Sequence, residues 1–473
     1  MSQPATKQND DLYSPPTTSE KRRRTATVAK DLHPEPATSA KRRKTATTAK
    51  KLHSQPTTSV KHRRTASTAL SSDLALAFST RSLTSTHAPP GKSADRTLRI
   101  NLFSNSVTET QLVEWLEGLA CDEPDGHSSP NESNILKLTL YPYRTWQVAT
   151  VTFCSVPLRF ALCAPGRGQE ARAKIGETEA IDISVDCDFW GLTPLYTAQV
   201  PSVDIVAVPG LGAHAFGTWK SSNGYRMWLR DFLPSDIQGL RILLYGYDSA
   251  LQGSTNTSSI QQYGRQLLDA VNNSRAEQEK HRPLIFIGHS LGGLVIKQAL
   301  ADAKQGSECD CAILNSCAAL FFFGVPNRGL NNNNMRSLVK GQKNEHLVND
   351  LREGSALLDL SYQSFLQNVG PGYCRVVSFY ETKDTRVIQL STDGRMEKTG
   401  PYVRLVTKES ATWATPNEAL YDQVPIDADH STMVKFANRA DGHYLSAIER
   451  LRECVNTAPN IIRQRLESFS GCM

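Results

Sequence analysis

The chain has 473 residues, 39% of them hydrophobic, and carries 53 Lys and Arg against 47 Asp and Glu, a formal charge of +6. This length and apolar content exclude a wholly disordered protein and predict two to three domains. No apolar segment follows the start as in a secretory signal, and no run approaches the roughly 18 apolar residues of a membrane span, so neither export nor a transmembrane helix is expected.

The charge is unevenly placed. Residues 1–70 hold fifteen Lys/Arg and five Asp/Glu, a net of +10, which leaves the rest of the chain mildly acidic. Residues 1–93 are rich in Pro, Ser, Thr and Lys and lack the apolar surface needed to offset chain entropy, so a disordered basic tail is expected there. PTTSEKRRRTATVAKDLH from Pro16, PATSAKRRKTATTAKKLH from Pro36 and PTTSVKHRRTASTAL from Pro56 repeat with a period of 20 residues. The units lack the apolar positions that stacking repeats need. Their basic clusters suit an import receptor, a phosphate-rich partner or a basophilic kinase. Thr25, Thr45 and Ser67 each have Arg three residues upstream, and phosphorylation there would cancel local charge. Gly91-Lys92-Ser93 lacks the earlier Gly of a P-loop.

From Arg96 the composition changes. RTLRINLF alternates as a strand, QLVEWLEGLA reads as a helix capped by Thr108, and ILKLTLYPY and WQVATVTFC read as two more strands. This β-α-β-β order predicts a small ferredoxin-like or RRM-like α+β module over residues 94–165. Val148 and Thr150 stand where an RNA-binding version needs stacking aromatics, so protein contact is expected and no specific nucleic-acid site. Residues 166–198 read as a polar linker.

Residues 199–460 read as a second domain. Strands are expected at Asp204–Val208, Arg241–Asp248, Leu284–Ile287, Ala319–Pro326, Arg375–Glu381 and Val403–Glu409. Helices are expected between them, at Tyr225–Phe232 and Ser259–Ala270 among others. Strands alternating with helices predict a mostly parallel sheet with helices on both faces, and ligands at the carboxyl ends of the strands.

PLIFIGHSLGGLVIKQAL, Pro283–Leu300, organises this domain. A buried strand breaks at Gly288-His289-Ser290-Leu291-Gly292 and continues as a helix. A turn this tight leaves no room beside the elbow glycines Gly288 and Gly292, and it lifts Ser290 above the sheet edge. Ser290 then needs a base and an orienting acid. The candidate base is His430, after the last strand. The candidate acid is Glu381, at a strand end, with Asp427 and Asp429 as alternatives. An oxyanion hole needs two N–H donors, expected from Leu291 and from Leu211 in the Pro209–Gly212 loop. His289 is expected to point off the opposite side of the elbow, and His214 and His443 are weaker candidates. Residues 327–372 have helical spacing and read as a cap over the site.

Gly210-Leu-Gly212-Ala-His-Ala215 also fits a dinucleotide fingerprint, but no acidic residue ends a second strand about 20 residues on. No cofactor is expected. The ten Cys of a chain without an export signal are expected to be reduced. Cys309-Asp-Cys311 lacks further ligands nearby, so it reads as a loop feature and no metal is expected.

Taken together, DIVAVPGLGAHAFGTW, MWLRDFLP, RILLYGYDS, FIGHSLGGLVIKQAL, FFFGVPNRGL, SFYET and VPIDADHSTMVKF make the segment from Phe189 to Tyr444 resemble a fungal serine-hydrolase domain. That domain is related to the serine active site-containing lipases and the GPI-inositol deacylases and often precedes NACHT, ankyrin or TPR regions. The resemblance implies an α/β-hydrolase fold, a Ser-acid-His triad on Ser290, Glu381 and His430, and a lipid or other ester substrate. A catalytically weak binding or signalling module on the same scaffold is the alternative. Two departures, Pro209 for a family His and Asn327 for a His, are expected at the pocket rim. The chain also ends near Met473 without a nucleotide-binding or repeat region. The basic clusters suggest cytoplasm or nucleus, and the animal relatives suggest a mitochondrial or endoplasmic-reticulum membrane surface.

Overall fold

The computed structural model describes residues 96–121, 133–177, 179–390 and 396–470. The basic repeats and Gly91–Ser93 lie outside the described residues. The first elements are β1 (Arg96–Leu102), α1 (Glu109–Cys121), β2 (Ile135–Tyr143), β3 (Trp146–Phe153), β4 (Gln169–Ala173) and β5 (Ile181–Asp186). They form an antiparallel sheet in the order β2-β3-β1-β5-β4. The run β2-β3-β1-β5 is the order of a ferredoxin-like sheet, with β4 added at the edge. Thr108 caps α1 as expected, its Oγ1 accepting from Gln111 N at 3.2 Å. Leu98, Ile100, Ala149, Val151 and Phe153 pack with Leu112 and Leu116 on one face.

The other face is polar and covered. Thr139 and Thr150 share a hydrogen bond of 2.7 Å, and Thr97 and Thr152 one of 2.9 Å. Arg230 of the following domain donates to Thr152 Oγ1 at 3.1 Å, and Arg99 donates to Thr193 Oγ1 at 2.9 Å. The face on which an RNA-recognition module stacks bases is therefore buried against its neighbour.

Residues 166–198 are not a linker. They supply β4, β5 and β6 (Gly191–Thr197). The alternation in IDISVD, with Ile183 and Val185 buried, is a strand period that the surrounding polar residues obscure. The module thus runs on to Asp186, and the second domain begins with β6 rather than at 199.

The remaining strands are β7 (Val203–Val208), β8 (Leu240–Gly246), β9 (Leu284–His289), β10 (Cys317–Phe323), β11 (Arg375–Glu381), the two-residue β12 to β15 (Thr385–Arg386, Gln389–Leu390, Met396–Glu397, Tyr402–Val403) and β16 (Gln423–Ile426). The helices are α2 (Ala215–Trp219), α3 (Trp228–Asp231), α4 (Leu233–Asp236), α5 (Ile260–Ser274), α6 (Leu291–Ala303), α7 (Glu308–Ser316), α8 (Asn333–Val339), α9 (Glu345–Asp350), α10 (Ala356–Asn368), α11 (Lys408–Ala411) and α12 (Gly442–Ser470). The main sheet has the order β16-β11-β10-β9-β7-β8-β6. All neighbours are parallel except β6 on β8. This is the α/β-hydrolase fold.

The two-residue strand period sorts the core into two layers. Ile205, Ile287, Phe321, Phe323 and Phe379 face α12 and the α2–α4 segment. Val206, Phe286, Leu320 and Phe322 face α5 and α6. The chain leaves β7 for β8 on one side and returns to β9 on the other, so a crevice opens between the carboxyl ends of β7 and β9.

Other boundaries also differ. The helix expected at Tyr225–Phe232 is the shorter α3 followed by α4. Cys309 and Cys311 sit in α7, not in a loop. The strand expected at Val403–Glu409 is absent as such. Its Leu405 and Val406 N–H groups bond the Glu381 carboxylate instead of a ladder, and the last strand of the sheet is β16.

Candidate active site

Ser290 follows β9 and caps α6, with φ 51° and ψ −125°. A non-glycine residue held there stores roughly 1–3 kcal/mol of strain. Three contacts hold the turn. Ser290 N donates to Phe323 O at 2.9 Å, so β10 grips the elbow. A Cβ on Gly292 would lie 2.4 Å from both Val208 O and Pro209 O, and one on Gly288 would lie 2.7 Å from Gly293 Cα. Both elbow glycines are required by close approach, as expected from the sequence. Gly293 is a third: a Cβ there would fall 2.2 Å from Val325 Cγ2.

Glu381 ends β11 and is 1% exposed. Its Oε1 accepts from Leu405 N at 2.9 Å and Val406 N at 3.0 Å, and its Oε2 pairs with His430 Nδ1 at 2.6 Å. A carboxylate can only accept, so Nδ1–H donates, which in the neutral ring leaves the lone pair on Nε2. Arg404 steadies the same strand end through Glu381 O at 2.7 Å.

His430 follows β16, which pairs with β11 in the register Glu381↔Ile426. The pairing continues past both strands, with Thr382 N donating to Ile426 O at 3.0 Å and Lys383 N to Ala428 O at 3.2 Å. Thr385 Oγ1 accepts from His430 N at 3.0 Å. Gly324 leaves room for the imidazole, since a Cβ there would lie 3.0 Å from its Cε1 and Nδ1. Neither Thr385 nor Gly324 carries a sequence signal, because both act by placement alone.

The alternative acids are engaged elsewhere. Asp427 pairs with Lys383 at 3.2 Å, and Asp429 accepts from Ser431 N and Thr432 N at 2.9 and 2.8 Å. His214 caps α2 by accepting from Gly217 N, and His443 accepts from Asp427 N.

His289 does not point to the far side of the elbow. It lines the same cavity as Ser290 and His430, and its Nε2 meets His430 O at 2.9 Å. Burial, reinforced by His430 and Lys435, pushes its pKa down to about 3, so the ring is neutral and Nε2–H donates.

The cavity holds about 420 Å³ and is lined by Gly210, Leu211, His289, Ser290 and His430 on the sheet side. Tyr247 Oη donates to Pro209 O at 2.9 Å, and Ser249 Oγ donates to Gly210 O at 3.2 Å, so the loop carrying Leu211 is held from below. The roof comes from the first part of the 327–372 insertion, through Leu330, Met335, Leu338 and Leu351, and from Thr385, Arg386, Val387, Ile388 and Lys398. α10 lies beside α6 instead, with Phe365 in the core. The insertion is therefore half roof and half scaffold.

Pro209 and Asn327 are not at the rim, and neither lines the cavity. Asn327 is buried; its Oδ1 accepts from Lys297 Nζ at 3.0 Å and its Nδ2 donates to Ser410 O and Ala411 O, both at 3.1 Å.

No protein-family model matches the chain. It is similar to protein SERAC1 of Mus musculus, 27% identical over 263 residues that cover 50% of this chain and 37% of the mouse protein. Protein SERAC1 of Homo sapiens is 25% identical over 289 residues, 56% of this chain and 41% of the human protein. Among solved structures, the Bacillus licheniformis lipase BlEst2 in mature form aligns with a TM-score of 0.36 and 14% identity, covering 55% of this chain and 97% of that one. The type II thioesterase YbtT aligns with a TM-score of 0.31 and 15% identity, covering 57% and 99%. The chain thus spans less than half the length of the curated relatives it matches.

Proposed function

We propose that this chain is a serine hydrolase that cleaves ester or thioester bonds through an acyl-enzyme. The observation that carries the reading is the Glu381–His430 pair, held at 2.6 Å and opening on the cavity that holds Ser290. Ser290 Oγ attacks the carbonyl carbon while His430 Nε2 takes its proton. The tetrahedral oxyanion is held by Leu291 N–H and Leu211 N–H. The carbonyl re-forms as the bond to the leaving oxygen or sulfur breaks, and His430 returns the proton to that atom. Water then repeats the sequence on the acyl-enzyme and restores Ser290. Glu381 accepts from Nδ1 throughout and keeps Nε2 aimed at the reacting oxygen.

The apolar roof supports an acyl chain, hence a lipid or other hydrophobic ester. Among the described residues no helix is long and apolar enough to cross a membrane. The departures at Pro209 and Asn327 lie off the cavity, so neither favours an inert binding module. A fluorophosphonate probe tests the reading. Wild type should be labelled on Ser290, and Ser290→Ala should not. A wild-type protein that resists the probe and is inert on a broad ester panel would leave the binding-module reading.

A further inference from the structure

The cavity above Ser290 has two unlike kinds of lining. One is apolar, built from Leu211, Leu251, Met335 and Leu338. The other is cationic, from Arg386, Lys398 and Lys435, and among the described residues no Asp or Glu lines the cavity. The acid nearest the chemistry, Glu381, lies behind His430 and is already bonded to three donors.

Among the described residues the three cations have no carboxylate partner. Lys435 is half-buried, and its Nζ donates to the carbonyl oxygens of Gly217 and Lys220. Burial, with repulsion from Lys398 and Lys220, lowers its pKa to about 8. Among the described residues Arg386 makes long hydrogen bonds of 3.4 Å to Gly400 O and Thr399 O and lies over the Tyr402 ring at 5.7 Å. Among the described residues Arg386, Lys398 and Lys435 form no ion pair. Charges of one sign gathered at a cleft with low-dielectric walls raise the local concentration of ligands of the other sign. A second cluster of cations is paired by contrast: Arg241, Arg275 and Arg282 converge on Asp204. The cationic lining over Ser290 departs from that pattern where a ligand would sit.

We infer that Arg386, Lys398 and Lys435 form an anion subsite, so that the preferred substrate is an amphipathic ester bearing a carboxylate or phosphate group. Its hydrocarbon lies against the apolar lining and its charge against the cationic one. The inference rests on the serine-hydrolase reading for where the ester bond lies, but the anion site itself does not need catalysis. Carboxylate and phosphate share the same recognition, an oxyanion receiving charge-assisted hydrogen bonds from ammonium and guanidinium donors.

The test has a binding arm and a turnover arm, both on the full chain. In the first, Ser290→Ala is titrated calorimetrically with octyl phosphate, octanoate and octanol. Both anions should bind at least about tenfold more tightly than octanol, as one charge-assisted contact allows. The difference should shrink as KCl rises from about 50 to 500 mM. Lys398→Gln with Lys435→Gln should bring the anions close to octanol, with unchanged circular dichroism. In the second arm, kcat/KM is compared for 4-nitrophenyl butyrate and 4-nitrophenyl hemiglutarate, and for butyryl esters of 4-hydroxybenzoate and its methyl ester. These pairs separate charge on the acyl side from charge on the leaving group. At least one charged member should be preferred about tenfold by wild type, and the double variant should abolish that preference. Equal binding of octyl phosphate and octanol overturns the subsite, as does a preference that survives the double variant. If fluorophosphonate labelling persists in that case, the hydrolase reading stands alone. Tight anion binding without labelling or turnover keeps the subsite and removes the hydrolase reading.

Discussion

Glu381 Oε2 and His430 Nδ1 lie 2.6 Å apart although 49 positions separate them in the chain. The contact follows from strand pairing. β11 and β16 run parallel with Glu381 opposite Ile426, and the loops leaving them stay hydrogen-bonded for two more residues. The carboxylate is fixed from its other side by Leu405 N and Val406 N, so the imidazole meets an acceptor that cannot swing away.

Removing this acceptor should cost catalysis far more than removing either nearby aspartate. Glu381→Ala is expected to lower kcat on 4-nitrophenyl butyrate by roughly 10²–10⁴-fold, as when a triad acid is lost. Asp427→Ala and Asp429→Ala should stay within about threefold. Steady-state kinetics of the three variants checks this, and an Asp427→Ala loss equal to that of Glu381→Ala would assign the acid wrongly.

The elbow should be intolerant of a single methyl group. Gly292→Ala places a Cβ 2.4 Å from two backbone oxygens, which side-chain repacking cannot relieve. Overpacking of this kind costs about 1–3 kcal/mol where side chains can yield, and more against backbone. Urea denaturation should show a loss of at least about 3 kcal/mol, or no folded protein. Gly341→Ala has open space but φ +78° and should lose only about 1 kcal/mol.

His289 should support His430 without titrating during turnover. His289→Leu removes the donor to His430 O and is expected to lower kcat at least about tenfold, whereas His289→Gln, which keeps a donor, should lose less. A stability signature accompanies this. The folded pKa of His289 is lowered, by burial first, from 6.5 to about 3. Below the unfolded value the unfolded state binds the proton and the folded state does not. Stability is therefore fully present above pH 6.5 and is lost as pH falls toward 3. His289→Leu should flatten that part of a melting-temperature profile.

Lys297 and Glu418 should give opposing slopes near neutrality. Burial lowers the folded pKa of Lys297 from 10.5 to about 7, so its contribution is full above 10.5 and is lost as pH falls to 7. Burial raises that of Glu418 from 4.5 to about 8, so its contribution is full below 4.5 and is lost as pH rises to 8. Lys297→Met should remove the alkaline gain and Glu418→Gln the neutral loss. Chemical denaturation from pH 5 to 10 reads both. Neutral-pH stability of Lys297→Met should stay within about 2 kcal/mol of wild type, because the lost bond to Asn327 is offset by the relieved desolvation.

Local features made much of this protein legible in one dimension. The apolar runs of β7 to β11, the glycines at 288 and 292, and the turn holding Ser290 are set by neighbours within a few residues. Sterics at a strand-to-helix corner act over that range. The positions of Glu381 and His430 at or just after strand ends were readable for the same reason. Folding alone decided what those positions meet. Residues 166–198 became strands because partners elsewhere in the chain completed their ladders. Leu405 and Val406 of VRLVTKE yielded their N–H groups to a carboxylate rather than to a neighbouring strand. His289 turned toward His430 because the carbonyl of a residue 141 positions away was the acceptor within reach. The gathering of apolar side chains and cations over Ser290 is likewise tertiary. Its residues come from well-separated segments, and charge complementarity acts through space, without regard to order along the chain.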